Sequence, residues 1–589
     1  MRESSDGNAA CLGPGEREFV LRAKAAFENG RVNEAIDIYL SAIGQGHRNG
    51  TDYQALGKMY LCLNEFENAL KYLRTAVELK PGSAQLLERI VSALVGLGRL
   101  DEAGGQIRSF LDSYTDVEIT GGSLTEALIR TGPSGDGSAD TESAESQTDS
   151  SQIDAMMLIA DVLSGARQYK LAEHWYKRIV KSRRDAPTCA KLASACRFAG
   201  NLLGAIEYQQ EAVEQAPDIA EHAANLGTLL MSIGQKSRGI EMLRQAVARA
   251  PEQARIHSSY LANLHYMPDL NPEMLFAEHK RWGQIHTPAE QARTSHRNNP
   301  DPDRKLRVGY ISADFRMHSV AYNFMAFLND RDPEKVEVYG YGNVAVPDAM
   351  TELLRGKFDC YRSIHSIEDE KVVHLIEQDE IDILVEIGGH TTDNRLGVMA
   401  YKPAPVQVDY GGFNTSGMEQ IDYRLTDSLL DPPELRRFYI EESVCLPGGL
   451  FCYRPPEFAP PVGPLPAKRN GFITFGSFSN GIKINTSTLS LWAQVLEKTE
   501  NSRLLLKFRG GDDRHLQEHY LSQLERMGIS RERITICGWK PPVDHLDLYN
   551  QVDIALDTHP FGGCMTTLEG LWMGVPIVSL VGENSLLSR

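Results

Sequence analysis

The first half of the chain has the spacing of small and apolar residues that is typical of packed helices. Alanine, glycine and proline recur at intervals of 34 residues in this half: Ala35, Ala69 and Ala103; Gly200 and Gly234; Pro217 and Pro251. Small residues at fixed positions let the two helices of a hairpin touch, and a proline ends the second helix. The pattern therefore predicts an array of helical hairpins.

In period and residue types this array resembles the tetratricopeptide repeat. We expect six or seven repeats in two blocks, residues 16–117 and 152–285, after a disordered N-terminus at 1–15. Residues 118–151 are rich in Gly, Ser, Asp and Thr, which predicts a flexible linker. Stacked repeats form a concave groove, so we expect protein or peptide substrates in it and allow for a homodimer through the repeats. Taken alone, the repeats indicate a protein-interaction scaffold.

The second half alternates short apolar runs with helical stretches, which predicts parallel sheets. The predicted strands are Leu306–Ser312, Val336–Tyr341, Ile381–Ile387, Val406–Tyr410, Phe472–Phe475, Leu504–Phe508, Ile534–Cys537, Asp553–Leu556 and Ile577–Val581. A connector (286–304) leads into an N-terminal lobe (305–453), and a proline-rich linker (454–469) separates it from a C-terminal lobe (470–589). The predicted fold is an α-helical solenoid followed by an α/β region of two Rossmann-like lobes, with a ligand cleft at the carboxyl ends of the strands.

Composition and charge argue against nucleic-acid-binding, secreted and membrane-spanning proteins. The 589 residues carry 61 Lys and Arg against 79 Asp and Glu, a net charge of −18, which argues against a nucleic-acid partner. The nine cysteines include no CxxC pair, which favours a reducing compartment. The first residues have no apolar core for a signal peptide, and no apolar run is long enough for a membrane span. We expect a cytoplasmic protein without a membrane partner.

The stretch from Asp553 to Val581 reads as strand, glycine loop, helix and strand. The loop holds Gly562 and Gly563, and the helix opens at Met565. A glycine loop running into a helix N-terminus suits a phosphate. Hydroxyl donors at its start (Thr566, Thr567) and a ribose-binding carboxylate one turn later (Glu569) would complete a nucleotide site. An ordinary crossover turn with glycines for packing fits this stretch equally well.

Further polar residues stand in loops after other predicted strands. His318, near a helix start, is placed to position or deprotonate an acceptor hydroxyl. Asn480 and Lys483 follow the strand at 472–475, where a lysine would neutralise a diphosphate leaving group. His390 lies in the loop after the strand that begins at Ile381, and His545 lies near the start of the helix before the strand at 553–556. Each residue alone fits a surface or packing role, and together they favour a catalytic cleft.

Five segments resemble the O-linked glycosyltransferases that join tetratricopeptide repeats to a two-lobed, GT-B type catalytic region. They are RVGYISADFRMHSVAYNF, IDILVEIGGHTTDNRLGVMAYKPAPVQVDYGGFNTSG, DYRLTDSLLDPPE, GFITFGSFSNGIKI and DIALDTHPFGGCMTTLEGLWMGVPIVSL. This family includes protein O-GlcNAc transferase and the plant SPINDLY protein. The resemblance implies inverting transfer of a sugar from a nucleotide sugar to protein Ser or Thr hydroxyls, with no metal and no further cofactor.

The resemblance also implies roles for the donor-binding residues. Lys483 would hold the diphosphate, with Asn480 beside it. The start of the last helix, Thr566 with Thr567, would contact phosphate, and Glu569 would bind the ribose.

The remaining site residues are assigned in the same way. His545 matches the histidine at the nucleobase, and His318 matches the histidine near the acceptor. His390 and Thr391 lie in the loop where SPINDLY-like members have Gly-His-Thr, on the acceptor or sugar side. We therefore expect His318 and Lys483 to be the catalytic residues.

Two departures from the family pattern bear on these expectations. Cys564 and Met565 stand where relatives have polar residues, so two phosphate contacts become weak hydrogen-bonding groups. Relatives continue well beyond Arg589, so we expect a C-terminally truncated chain with an incomplete second lobe. For the donor we expect UDP-N-acetylglucosamine. The alternatives are GDP-fucose, towards which Asn480 and the Gly-His-Thr loop lean, and a non-catalytic scaffold.

Overall fold

The computed structural model describes most of the chain. It covers residues 14–79 with gaps at 29–30, 47–48 and 64, isolated positions between 86 and 106, residues 150–268 except 166–167, and residues 271–581 except 302 and 413. The predicted disordered N-terminus and flexible linker lie outside the described residues, except for the last two positions of each. The described residues form two compact units, one ending at Ala199 and the other beginning at Gly200.

The first unit is helical. Its described helices are α1 Pro14–Glu28, α2 Val32–Gly44, α3 Gly50–Cys62, α4 Phe66–Leu79, α5 Ser150–Gly165, α6 Tyr169–Ser182 and α7 Ala186–Ala199. Helices α1 and α2, α3 and α4, and α5 and α6 pack as successive pairs. At the crossing of α3 and α4, a Cβ on Gly57 would collide with the side chain of Leu73, which explains the small residue there.

The second unit opens with five more helices, α8 Leu202–Gln215, α9 Ala220–Ser232, α10 Lys236–Arg249, α11 Ala254–Leu264 and α12 Pro272–His286. Helices α9 and α10 cross at two glycines. A Cβ on either Gly227 or Gly239 would lie 2.8 Å from the other's carbonyl oxygen. The predicted helical solenoid is therefore confirmed as paired helices with small residues at their contacts.

The first lobe is a seven-stranded parallel sheet in the order β3-β2-β1-β4-β5-β6-β7. Its strands are β1 Leu306–Ser312, β2 Val336–Gly342, β3 Cys360–Ser363, β4 Ile383–Ile387, β5 Val406–Tyr410, β6 Tyr423–Thr426 and β7 Glu442–Cys445. The helices among them are α13 Ser319–Asn329, α14 Ala349–Arg355, α15 Asp369–Gln378 and α16 Leu396–Ala400. The sequence prediction missed β3, β6 and β7, since these four-residue strands mix polar and apolar residues.

The second lobe is a five-stranded parallel sheet in the order β10-β9-β8-β11-β12. Its strands are β8 Ile473–Ser477, β9 Ser502–Lys507, β10 Ile534–Cys537, β11 Ile554–Leu556 and β12 Ile577–Val578. The helices are α17 Pro466–Asn470, α18 Thr486–Lys498, α19 Arg514–Arg526, α20 Pro542–Leu548 and α21 Met565–Trp572. Helix α17 begins inside the predicted linker, with a proline at its first turn. Strand β12 ends at Val578 instead of Val581, and Leu580 and Val581 are exposed. The other strands of this lobe lie within two residues of their predicted bounds.

Helices α8–α12 share their cores with both lobes. Leu261 and Trp282 lie in one buried cluster with Ile311 and Leu384 of the first sheet. Ile233 is buried in the same cluster as β8, β9 and α18 of the second lobe. The last repeats and the two lobes are thus built on common cores. Within the described ranges, every helix is too short or too polar to span a bilayer.

Candidate active site

The glycine loop after β11 is held by Asp557, which stands at the carboxyl end of this strand. Its Oδ1 accepts hydrogen bonds from the amides of Gly563 (2.7 Å) and Thr558 (2.8 Å), and its Oδ2 accepts one from the hydroxyl of Ser579 (2.8 Å). Asp557 is not among the site residues predicted from the sequence. Its position directly after a buried parallel strand is the signal that would have found it.

Lys483 reaches this loop from the turn after β8. Its ammonium donates to the carbonyl oxygen of Gly562 at 2.6 Å and lies 4.1 Å above the ring centroid of Phe561. Burial lowers the pKa of Lys483 to about 8, against the opposing effects of Asp557 and Cys564. The structure therefore places a cation on the glycine loop, bonded to a carbonyl rather than to a carboxylate.

Asn480 shapes the turn that carries Lys483. Its side-chain oxygen accepts a hydrogen bond from the amide of Ile482 at 3.3 Å, which caps a short 3₁₀ turn over Gly481–Lys483. The main-chain oxygen of Asn480 also accepts from the amide of Lys483 at 2.8 Å. Asn480 is exposed, so its side chain is accessible to a ligand beside Lys483.

The two threonines at the start of α21 crowd the glycine loop. A Cβ on Gly563 would meet the hydroxyl of Thr567 and would lie 3.1 Å from the hydroxyl of Thr566. The carbonyl of Cys564 accepts the amides of Thr567 and Leu568, both at 3.1 Å. Only a residue without a side chain lets the loop approach the helix this closely.

Cys564 occupies the N-cap position of α21 without capping it through its side chain. Burial raises the pKa of its thiol to about 11, against the opposing effects of Lys483 and the Met565 amide. The thiol is therefore neutral at ordinary pH and adds no negative charge to a phosphate site.

Glu569 and His545 are paired with each other. Oε2 of Glu569 lies 3.0 Å from Nε2 of His545, and both side chains are largely buried. The imidazole packs against the rings of Phe478 (5.9 Å) and Tyr549 (5.6 Å). Tyr549 in turn donates to the carbonyl of Thr566 at 2.8 Å. One network thus joins the residues expected at the base and the ribose to the start of α21.

In the first lobe, His318 is the N-cap residue of α13. Its Nδ1 lies 3.4 Å from the amide nitrogen of Val320 and 3.4 Å from Oδ2 of Asp314. One nitrogen cannot accept from the amide and donate to the carboxylate at once. A bond to Asp314 leaves Nε2 free as a base, whereas the Val320 bond puts the proton of neutral imidazole on Nε2. Burial lowers the pKa of His318, against the opposing effect of Asp314.

Helix α13 shares a buried cluster with the glycine loop of the second lobe, since Phe324 and Phe561 both belong to it. Burial raises the pKa of Tyr322, with smaller contributions from the carboxylates of Asp348 and Glu569. Because Glu569 belongs to α21, the helix that His318 begins lies within electrostatic reach of the glycine-loop helix.

His390 is placed differently from the other predicted site residues. Its Nε2 lies 2.8 Å from the carbonyl of Ser416, so it must donate, and its Nδ1 accepts from the hydroxyl of Ser258 at 3.1 Å. It is buried against Trp282 of α12 (ring centroids 4.6 Å apart), and burial lowers its pKa to about 4. The contacts of His390 are thus those of a packing residue between repeats and sheet. Its acceptor-side role stays a prediction.

Thr391 follows in a loop that bends through two glycines of positive φ, Gly388 and Gly389. Its carbonyl accepts from the side-chain amide of Asn394 at 2.9 Å, and its side chain is partly exposed. Among the described contacts, Lys483, Thr566, Thr567, Glu569 and His545 form one group. His318 begins α13, whose Phe324 is buried in the same cluster as Phe561 of the glycine loop.

Comparison with known proteins adds to this geometry. Residues 282–453 and 465–589, just over half of the chain, match glycosyl transferase family 41. The chain belongs to glycosyl transferase family 41. Residues 53–83 match a tetratricopeptide repeat, so this family 41 chain combines the two parts that its sequence predicts.

Two curated plant proteins are similar to this chain. The chain is similar to the Arabidopsis thaliana protein named probable UDP-N-acetylglucosamine–peptide N-acetylglucosaminyltransferase SPINDLY, with 40% identity over 342 residues, 56% of this chain and 37% of that protein. A second Arabidopsis protein, with the same enzyme name and the designation SEC, is 27% identical over 293 residues, 48% of this chain and 30% of that protein. The chain therefore spans less than two fifths of the length of these curated relatives.

Among solved structures, a mutant O-GlcNAc transferase of Thermobaculum terrenum superposes with a TM-score of 0.70 and 32% identity. The match covers 74% of this chain and 84% of that one. The predicted GT-B-like arrangement after a helical solenoid is thereby confirmed.

Proposed function

We propose that this protein is an O-glycosyltransferase that moves N-acetylglucosamine from UDP-N-acetylglucosamine to Ser or Thr hydroxyls of proteins. The observation that carries the proposal is the contact of the Lys483 ammonium with the carbonyl of Gly562, beside the start of α21. A diphosphate seated on the glycine loop would meet this cation as its leaving-group charge develops, which lowers the barrier to transfer.

The neighbouring side chains fit the parts of a nucleotide diphosphate. The hydroxyls of Thr566 and Thr567 are donors for phosphate oxygens, and the helix start adds its positive end. Glu569 is an acceptor for ribose hydroxyls, and the imidazole of His545 offers a flat face to a base. The transfer would proceed with inversion and without a metal.

On the acceptor side, His318 would orient or deprotonate the incoming hydroxyl. The tautomer that hydrogen-bonds to Asp314 has the free Nε2 that such a role needs. Thr391 and His390 complete the expected acceptor side. The repeats would recruit the protein substrates, and a homodimer through the repeats remains part of the proposal.

Transfer assays with the full chain test this function. UDP-N-acetylglucosamine and GDP-fucose are each offered with Ser/Thr-containing protein substrates, and the product anomer is read by NMR. Lys483→Met should abolish transfer, whereas the exposed Lys498→Met should not. Failure of the wild-type chain to bind either nucleotide sugar in calorimetry would contradict an enzymatic role.

The second candidate donor, GDP-fucose, is favoured by the exposed amide of Asn480 beside Lys483 and by the Gly-His-Thr loop. Fucose transfer without N-acetylglucosamine transfer would select it. If the repeats bind partner proteins without nucleotide and no sugar is transferred from either donor, the protein is a scaffold.

A further inference from the structure

A lysine of the repeats contacts the turn that carries Lys483. Lys236 is the first residue of α10, and its side chain is buried. Its ammonium donates to the carbonyl oxygen of Met231 at 2.8 Å and to the carbonyl oxygen of Ile482. The Ile482 carbonyl belongs to the peptide unit whose N–H is that of Lys483. That N–H is held by Asn480, so both polar ends of this peptide are fixed.

The ammonium group of Lys483 is also supported by a residue of the same repeats, Tyr266. The ring of Tyr266, which follows α11, stacks on the ring of Phe561 with centroids 4.8 Å apart and planes at 13°. Lys483 lies above that same Phe561 ring, and Lys236 lies 5.4 Å from the centroid of Tyr266. The repeats therefore support the turn through Lys236 and the ammonium through Tyr266 and Phe561.

Packing between the repeats does not explain a lysine at the first position of α10. In the four preceding described repeats the second helices, α2, α4, α6 and α8, begin with an apolar or aromatic residue: Val32, Phe66, Tyr169 and Leu202. Burying an ammonium is costly, and burial lowers the pKa of Lys236 to about 7. A lysine at this one helix start is better explained by its contact with Ile482 than by the solenoid.

We propose that Lys236 is a positioning residue that fixes the Asn480–Lys483 turn for diphosphate binding, with Tyr266 supporting the Lys483 ammonium through Phe561. This inference rests on the proposed function, since it assigns the last repeats a part in the donor site. The repeats that hold a substrate protein would then also support Lys483, the cation at the leaving group, through the side chains of Lys236 and Tyr266.

The test compares Lys236→Met with wild type in the full chain. Methionine keeps the length of the side chain, and an apolar residue suits this helix start. Arg238→Met on the same helix is the matched control, because Arg238 is exposed and its described hydrogen bond stays within the helix start, to Gln235. Three quantities are measured for each variant: hydrogen exchange of amides 478–486, the affinities for UDP and for GDP by calorimetric titration, and the thermal midpoint.

We expect Lys236→Met to speed exchange of the Lys483 amide and to weaken binding of the preferred nucleotide, each by about tenfold, as expected for loss of a charged hydrogen bond. The thermal midpoint should not fall, because the cost of burying the ammonium is removed. Arg238→Met should match wild type in all three measurements.

Unchanged exchange at 478–486 in folded Lys236→Met overturns the inference. Should that variant fail to fold, Tyr266→Leu provides the same comparison, with faster exchange of this segment expected and wild-type exchange refuting it. If wild type binds neither nucleotide, the proposed function fails, whereas the exchange result still decides the role of Lys236.

Discussion

Raising the pH should weaken nucleotide binding through Lys483. Its ammonium is bonded to the glycine loop at 2.6 Å, and burial lowers its pKa to about 8. A diphosphate binds the charged form, so its binding raises the pKa of this lysine and draws in a proton. Affinity is therefore fully present below about pH 8 and is lost as the pH rises through that value.

The magnitude follows from the protonated fraction. About nine-tenths of Lys483 is charged at pH 7 and about one-tenth at pH 9, so affinity should fall about tenfold, or ~1.4 kcal/mol. The phosphates do not contribute to this slope, because their second ionisation lies near pH 6.

Calorimetry with UDP and GDP between pH 7 and 9, in buffers of different ionisation enthalpy, measures both the affinity and the proton uptake. Lys483→Met should bind weakly and without this slope. Lys507→Met is the control, because burial also lowers the pKa of Lys507, against the opposing effect of Glu569. A flat wild-type profile, or a slope that disappears in Lys507→Met but persists in Lys483→Met, would refute the reasoning.

Three further predictions concern packing and stability. Gly563→Ala should reduce nucleotide affinity by about tenfold or more, because its Cβ would displace the Thr567 hydroxyl; unchanged affinity in calorimetry would contradict this. Gly227→Ala should cost about 1–3 kcal/mol of unfolding free energy, because its Cβ would lie 2.8 Å from the carbonyl of Gly239; a wild-type denaturation midpoint would argue against that crossing. Lowering the pH from 7 to 5 should reduce the free energy of unfolding by about 2 kcal/mol, because His390 has a folded pKa of about 4, below the ordinary 6.5, and the unfolded chain therefore takes up the proton first. His390→Asn should lose less stability over this pH range in thermal melts.

The sequence could predict the parts of this fold that rest on local pattern. The helix over Thr486–Lys498 and the strands at 306–312, 406–410 and 534–537 lie as expected, because their apolar periodicity and turn residues are unambiguous. Strands β6 and β7 were missed because their pairing in the sheet, rather than an apolar run, makes them strands.

The candidate site also contains residues that the sequence predicts and contacts that only the fold reveals. Lys483 and the glycine loop stand out in the sequence because their residue types carry the chemistry. The pairing of His545 with Glu569 is not visible there, because 24 positions separate them and only the fold brings them together. Lys236 was also missed, although its departure from the 34-residue register was already visible in the sequence.

The shared cores of helices α8–α12 and the two lobes limit how this protein can be divided. A truncation placed after His286, next to the predicted end of the repeats at residue 285, would remove Trp282 and Leu261 from the first lobe and Ile233 from the second. A division between Ala199 and Gly200 leaves these cores intact. Exchange of repeats between relatives, in the laboratory or in evolution, should therefore be tolerated before Gly200 and resisted after it.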